Sequence, residues 1–209
     1  MGAYMVVILA AYLLGSISFS VIVSKKMAGF DVREKGSGNA GSTNVLRSVG
    51  KKAAAITLAC DVLKGVVAVL IAYIIGLIMK DSIDRALIVQ LAGFFVILGH
   101  TFPIFFGFKG GKGIATALGV LLVTNWSIGL VCLVFALVLM ALTRIVSLGS
   151  IAAAVLFPIL VLFFAHNSYI AEGRYFVYSI LLAALVLFNH RSNIKRLIEG
   201  KENKLSFKK

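Results

Sequence analysis

The chain is short of acid. Asp and Glu total 8 against 21 Lys and Arg, a formal net charge of +13 over 209 residues. In a polar chain that excess would point to nucleic acid. Here 60% of residues are hydrophobic and the mean hydropathy is +1.02. The excess therefore reads as membrane orientation plus anionic ligands, with no nucleic-acid partner. Cysteine is scarce too. Cys60 and Cys132 both lie in apolar runs and read as small packing residues, not as a disulfide or a zinc site. No side-chain cluster suits a metal. No G-x-S-x-G nucleophile elbow occurs. The opening run to Val23 lacks a basic start and a clear small-residue cleavage site, so it reads as a first span and not a signal peptide.

What is present is a series of long apolar runs. They predict an all-α, polytopic membrane helix bundle, a single integral-membrane domain over 1–209. Seven spans are expected, at about 4–23, 53–79, 86–106, 114–124, 127–142, 145–166 and 175–189. An odd count puts the termini on opposite sides. Of the 21 basic residues, only Lys80, Arg85 and Arg174 fall in the even-numbered loops, and Lys64 lies inside a span. The rest gather in the odd-numbered loops and the tail, which orients the N-terminus outside and the C-terminus in the cytoplasm. The fourth span is short: 11 residues make a helix of roughly 17 Å, against a hydrocarbon core of about 30 Å. The segment before it is expected to dip into the membrane plane. The alternative is one span over 114–142 broken at Asn125, which gives six spans.

Three polar islands interrupt the apolar background: KGSGNAGSTNVLR at 35–47, FKGGKG at 108–113 and NHRSNIKRLIEGKENK at 189–204. With seven spans all three face the cytoplasm. In the first, Gly36, Gly38 and Gly41 fit G-x-G-x-x-G, but no strand precedes them, so a dinucleotide fold is not supported. Ser37, Asn39, Ser42, Thr43 and Asn44 supply neutral hydrogen-bonding groups, and Arg47 could close on a phosphate with a bidentate fork. A glycine-rich solvated loop is the plainer reading of this island alone. The second island is sharper. Lys109, Gly110, Gly111, Lys112 and Gly113 directly precede an apolar helix. Backbone N–H groups at a helix start with two ammonium groups make an anion cradle. It is not a Walker A loop, because Gly113 stands where Ser or Thr should follow the lysine. Mere snorkelling of the lysines to headgroups leaves the glycines unexplained. In the third, His190 and Asn193 are three residues apart and Arg196 continues that face. A basic amphipathic tail on anionic lipid is the competing reading.

Asp61 and Lys64 sit inside a span at i,i+3 spacing, which allows a local ion pair lining a pocket. His100 stands near the second island. His166 is expected at the outer, interfacial end of its span. None of the three histidines has an aspartate five positions later: Phe105, Ala171 and Lys195 stand there. That excludes the H-x-x-x-x-D signature of the common soluble-headed glycerolipid acyltransferases. A small anion transporter would use similar islands along a path, but the chain shows no internal repeat and its basic residues gather on one face. A scaffold binding anionic lipid would not need the glycines.

GSGNAGSTNVLR at 36–47, GHTFPIFFGFKGGKGIAT at 99–116 and HRSNIKRLIEGKE at 190–202 together resemble the three motifs of the bacterial acyl-phosphate:glycerol-3-phosphate acyltransferases, the PlsY type. The likeness covers the motifs, their order and spacing, and the seven-span layout. One departure is Ala40, where many members have proline. The resemblance implies acyl transfer from acyl phosphate to the 1-hydroxyl of sn-glycerol 3-phosphate. The products would be lysophosphatidic acid and inorganic phosphate, at the first acylation step of phospholipid synthesis in the bacterial inner membrane. It implies Ser37, Arg47, Lys112, His190 and Asn193 as the catalytic set. Asn39, Thr43, Asn44, Lys109, Gly110, Gly111, Gly113, Ser147 and Arg196 are the expected substrate-binding residues, with Ser150 as the rival of Ser147. Lys109, Lys112 and the Gly110–Gly113 backbone are expected at one phosphate and Arg47 at the other. The expected partners are the two phosphate substrates and membrane lipid, with no cofactor and no obligate protein partner.

Overall fold

The computed structural model describes residues 1–164 and 172–205. His166 lies outside the described residues. Among them the regular structure is helical, as composition predicts: α1 Gly2–Gly15, α2 Phe19–Ala28, α3 Ser42–Ser48, α4 Lys51–Ile78, α5 Arg85–Thr101, α6 Ile114–Thr124, α7 Trp126–Thr143, α8 Val146–Phe164, α9 Glu172–Asn189 and α10 Arg191–Ile198. They fall into two compact units, Met1–Thr124 and Asn125 onward.

In the first unit, α4 has its large apolar side chains outside. Leu58, Leu63, Val67, Leu70 and Ile74 are exposed, while Thr57, Asp61, Lys64, Gly65, Ala68 and Ala72 are buried. A helix in water would invert that arrangement; lipid as solvent permits it. The buried positions recur every three or four residues, one helical face. Glycines let the helices close. A Cβ on Gly65 or Gly119 would strike the Thr116 or Val62 carbonyl, so α4 and α6 touch through backbone. Gly15 and Gly99 bring α1 and α5 together in the same way.

The first expected span, 4–23, is in fact two helices broken at residues 16–18. At the break, Ser16 Oγ donates back to the Tyr12 carbonyl at 2.8 Å, beside the backbone bond from Ser16 N at 2.9 Å. The carbonyls freed by the break need donors in a site without bulk water. Lys64 Nζ supplies them, donating to Gly15 O at 3.0 Å and Ile17 O at 2.9 Å. The run Gly2–Ala28 remains long and apolar enough to cross a membrane.

In the second unit, Asn125 starts α7: its Oδ1 accepts from Ile128 N at 3.3 Å and Ser127 Oγ at 2.9 Å. A break at Asn125 is therefore present, with separate helices on either side. Arg144 ends α7 in the left-handed region, φ 60°, its N–H on the Met140 carbonyl at 2.8 Å. Phe157 meets Tyr175 edge-on at 6.1 Å, and Tyr175 stacks on Tyr178 at 5.8 Å, which joins α8 to α9. The chain bends by 64° between α9 and α10. The tail after α10 returns to the α7–α8 junction, where Leu205 N donates to Arg144 O at 2.7 Å.

Five stretches among the described residues are long and apolar enough to span a bilayer, and the bent pair α9–α10 is a sixth candidate. The short α6 has 11 residues, as the sequence predicts.

Candidate functional site

The first island is a loop folded around one side chain. Asn44 is buried, and its Nδ2 donates to Val32 O, Lys35 O and Asn39 O at 2.9–3.0 Å. Its Oδ1 accepts from Ser37 N at 3.0 Å. Gly36 lies against that same oxygen at φ 59°, where a Cβ has neither the space nor the backbone freedom. Asn44 was expected to face substrate. The structure instead gives it the loop's interior, and its amide is fully engaged there. Ser37 is exposed, Asn39 and Thr43 are half-buried, and Arg47 is exposed near the end of α3.

The second island turns at Gly107 and Phe108, φ 66° and 59°, and again at Gly113, φ 88°. Phe108 is a bulky residue in a region that favours glycine, so the loop is held there by its surroundings. Phe108 N donates to Pro103 O at 2.9 Å, Gly110 N to Thr101 O at 3.1 Å and Gly111 N to His100 O at 3.0 Å. This corrects one expectation. The Gly110 and Gly111 amides are turned back onto the end of α5, so they cannot cradle an anion without breaking those bonds. The donors left outside the helical ladder are those of the first turn of α6. Lys109 is exposed and Lys112 half-buried beside that turn.

Two polar fastenings hold this loop; sequence reasoning missed the outer one and, for the inner one, predicted the ion pair but not its reach to the loop. Outside the membrane spans, Arg33 Nη1 donates to Phe106 O at 2.7 Å and Lys109 O at 3.1 Å. The same guanidinium grips buried Asp31 bidentately, at 3.0 Å through Nε and 2.8 Å through Nη2. Lys25 Nζ adds a contact at 3.7 Å. The hydrogen bonds from Arg33 hold the Asp31 carboxyl below the usual carboxylate range against its partial burial, and Asp31 raises the Arg33 guanidinium in turn. Within the spans, Asp61 Oδ1 meets Lys64 Nζ at 2.9 Å, the ion pair its spacing predicted, and also His100 Nδ1 at 3.4 Å. These are charge contacts more than aligned hydrogen bonds. The scarcity of acid was the available signal: with so few carboxylates, each one beside a basic motif marks a contact.

The third island lies in the second unit. His190 stands at the N-cap position of α10, its side chain making no cap bond, and is 2% exposed. Its Nδ1 lies 2.8 Å from the Val186 carbonyl, which can only accept, so a proton on Nδ1 completes that bond and turns Nε2 away from it. Buried Asn193 and half-buried Arg196 share a partner within the chain. Asn193 Nδ2 donates to Glu202 Oε1 and Arg196 Nε to Glu202 Oε2, both at 2.9 Å. Glu202, which the sequence reading gave no role, thus fixes both side chains. Ser147 and Ser150 are now distinguishable. Ser150 Oγ donates to Val146 O at 3.0 Å. Ser147 Oγ is buried with no hydrogen-bond partner among the described residues. An unmatched buried hydroxyl is costly, so Ser147 is the one suited to a ligand. No group of three or more His, Cys, Asp or Glu that could hold a metal occurs among the described residues.

Comparison with known proteins accounts for the pattern. Residues 5–200 match the family model described as glycerol-3-phosphate acyltransferase, and the chain belongs to that family, whose members are acyltransferases of phospholipid biosynthesis. It is similar to the glycerol-3-phosphate acyltransferase of Clostridioides difficile strain 630, 45% identical over 99% of this chain and 98% of that one. A second relative, of the same name, from Neisseria meningitidis serogroup C, is 48% identical over 93% of this chain and 94% of its own. Among solved structures, the chain is similar to PlsY (YgiH), an integral membrane glycerol 3-phosphate acyltransferase. Its glycerol 3-phosphate form aligns with a TM-score of 0.84 at 38% identity, over 98% of this chain and 96% of that one. Its lysophosphatidic acid form gives 0.82 at 37% identity over the same shares.

Proposed function

We propose that the protein transfers an acyl group from acyl phosphate to the 1-hydroxyl of sn-glycerol 3-phosphate. The hydroxyl oxygen attacks the acyl carbonyl carbon, the bond from that carbon to the phosphate oxygen breaks, and lysophosphatidic acid and inorganic phosphate result. This is the first acylation of phospholipid synthesis, carried out by 1–209 as one functional domain in the bacterial inner membrane. The reading counts α6 as a span, which makes seven, with the N-terminus outside, the C-terminus cytoplasmic and the site on the cytoplasmic side.

The observation that carries the reading is the loop 107–113: basic, glycine-rich, and fixed from both sides at the head of an apolar helix. Both substrates bring a phosphate, and two such groups repel unless positive charge lies between them. Lys109, Lys112 and the first turn of α6 suit one phosphate; Arg47 suits the other, with Arg144 and Arg196 adding positive potential. Ser37, Asn39 and Thr43 offer neutral groups to either. Asn44 and the Gly110–Gly111 backbone act by shaping the loops. Ser147 offers its unmatched hydroxyl. Asn193, oriented by Glu202, and His190 suit the glycerol hydroxyl or the reacting carbonyl. The leaving group is already activated, so positioning and electrostatic stabilisation are the protein's main tasks. The hydroxyl proton goes to His190 Nε2 or to the substrate's own phosphate. A His190→Gln variant that keeps its activity and pH–rate profile would assign it to the phosphate.

The decisive experiment is phosphate release by purified protein from palmitoyl phosphate with glycerol 3-phosphate, with palmitoyl-CoA as parallel donor. Release that depends on glycerol 3-phosphate, yields lysophosphatidic acid and fails with the CoA donor is expected. Turnover of palmitoyl-CoA alone would overturn the donor assignment. No turnover in folded protein would overturn the reaction and favour anion transport, measurable as flux into liposomes.

A further inference from the structure

The buried cluster of Asp61, Lys64 and His100 has no part in the chemistry above, yet it touches the loop that does. Lys64 is 3% exposed, Asp61 2% and His100 7%. Ionisable groups this deep in a membrane protein are costly and are retained where they act. Their contacts form a chain. The Gly15 and Ile17 carbonyls at the break of the first span hold the Lys64 ammonium. Lys64 holds Asp61, and Asp61 faces Nδ1 of His100. The opposite edge of the imidazole is set against the loop. A Cβ on Gly111 would fall on His100 Nε2 and lie 2.7 Å from the Ala40 carbonyl of the first island. The Gly111 backbone is thus seated between the His100 ring and the first island, with its N–H on the His100 carbonyl.

We propose that His100 is a positioning residue for phosphate binding. Its ring, oriented through Asp61 by Lys64, is the surface on which the Gly111 backbone rests. That seat sets where the neighbouring Lys109 and Lys112 ammonium groups stand. The proposal rests on the loop 107–113 holding a substrate phosphate. His100 does not touch the reacting atoms, so its loss weakens binding of the phosphate compound that this loop holds and leaves the turnover of bound substrate largely intact.

Asparagine can place its amide where His100 Nδ1 stands and so keep a donor toward Asp61, while removing the Nε2 edge. His100→Asn therefore tests the seat without stranding the buried carboxylate. The kinetic constants of wild type, His100→Asn and His100→Ala would be measured for palmitoyl phosphate and for glycerol 3-phosphate, with thermal unfolding followed with and without inorganic phosphate. In folded His100→Asn, the KM for one of the two substrates should rise about tenfold or more while kcat and the other KM stay within about threefold. The upward shift in unfolding temperature that inorganic phosphate gives the wild type should shrink. His100→Ala should show the same split, with lower thermal stability. Both KM values unchanged in folded His100→Asn, or a fall in kcat at constant KM, would overturn the proposal. If the wild type itself neither turns over nor is stabilised by phosphate, the functional reading fails first, and the two failures are distinguishable.

Discussion

Two acid–base contacts fasten the same loop from opposite sides, and they are built differently. The outer one, Asp31 with Arg33, is a bidentate fork at the membrane edge whose guanidinium is 24% exposed. The inner one, Asp61 with Lys64 and His100, has side chains between 1% and 6% exposed. Arg33 still has water nearby, so its contribution is a few directed hydrogen bonds. Lys64 and Asp61 have given up water altogether, so each depends on the other to offset desolvation. The outer fastening can be loosened by degrees. The inner one holds as a unit or leaves a stranded charge.

Breaking the inner contact should therefore have the largest effect. Asp61→Ala leaves a buried ammonium without its carboxylate, a loss of about 3–5 kcal/mol. Thermal unfolding in detergent would show it as a large drop in Tm or as failure to accumulate folded protein. Removing both charges with Asp61→Ala/Lys64→Met should recover a substantial part of that loss. It should not recover all of it, because the Gly15 and Ile17 carbonyls then lack their donor. A double variant no better than the single one would mean that Lys64 matters for those carbonyls more than for Asp61.

Much of this was legible in the sequence, and the differences have physical causes. The helical class, α6 from Ile114 to Thr124, and the Asp61–Lys64 pair follow from apolar periodicity and i,i+3 spacing, both local properties. The split of the first span was not legible, because it depends on Lys64 reaching a carbonyl 49 positions earlier in the chain. The direction of the Gly110 and Gly111 amides was hidden for a related reason. Composition says that glycines free a backbone, but not which carbonyl will take its N–H. Glu202 and Arg33 were overlooked because an acid next to lysines and an arginine in a polar loop look like solvated surface. Only a fold could show the carboxylate of Glu202 on both Asn193 and Arg196.

The outer contact should yield more gently. Arg33→Lys keeps the charge but loses the fork, which binds Asp31 and two carbonyls at once. A loss of about 1.5–3 kcal/mol is expected, because hydrogen bonds to charged groups carry about that much. Part of it should appear as a raised KM for a phosphate substrate, since the Phe106 and Lys109 carbonyls are then less firmly held. An unchanged KM with the same loss of stability would separate the outer fastening from binding and leave the inner one as the loop's determinant.

Acid should produce the smallest effect and the clearest contrast. Arg33 lowers the Asp31 pKa in the folded protein below its ordinary value of 3.8. A depressed carboxylate pKa stabilises the fold above the unfolded value, and that stabilisation is lost as pH falls through the folded one. Between about pH 7 and 5 the Tm gap between wild type and Asp31→Asn should therefore stay constant, and below about pH 4 it should narrow as the wild-type carboxyl takes up its proton. A gap that closed near pH 6 would point to another titrating group. A gap that persisted undiminished to about pH 2 would mean that the charge on Asp31 contributes little and that its oxygens serve Arg33 as neutral acceptors equally well. In that case the outer fastening would rest on hydrogen bonds and not on the charge of Asp31, and Arg33→Lys should then cost as much at about pH 2 as at about pH 7.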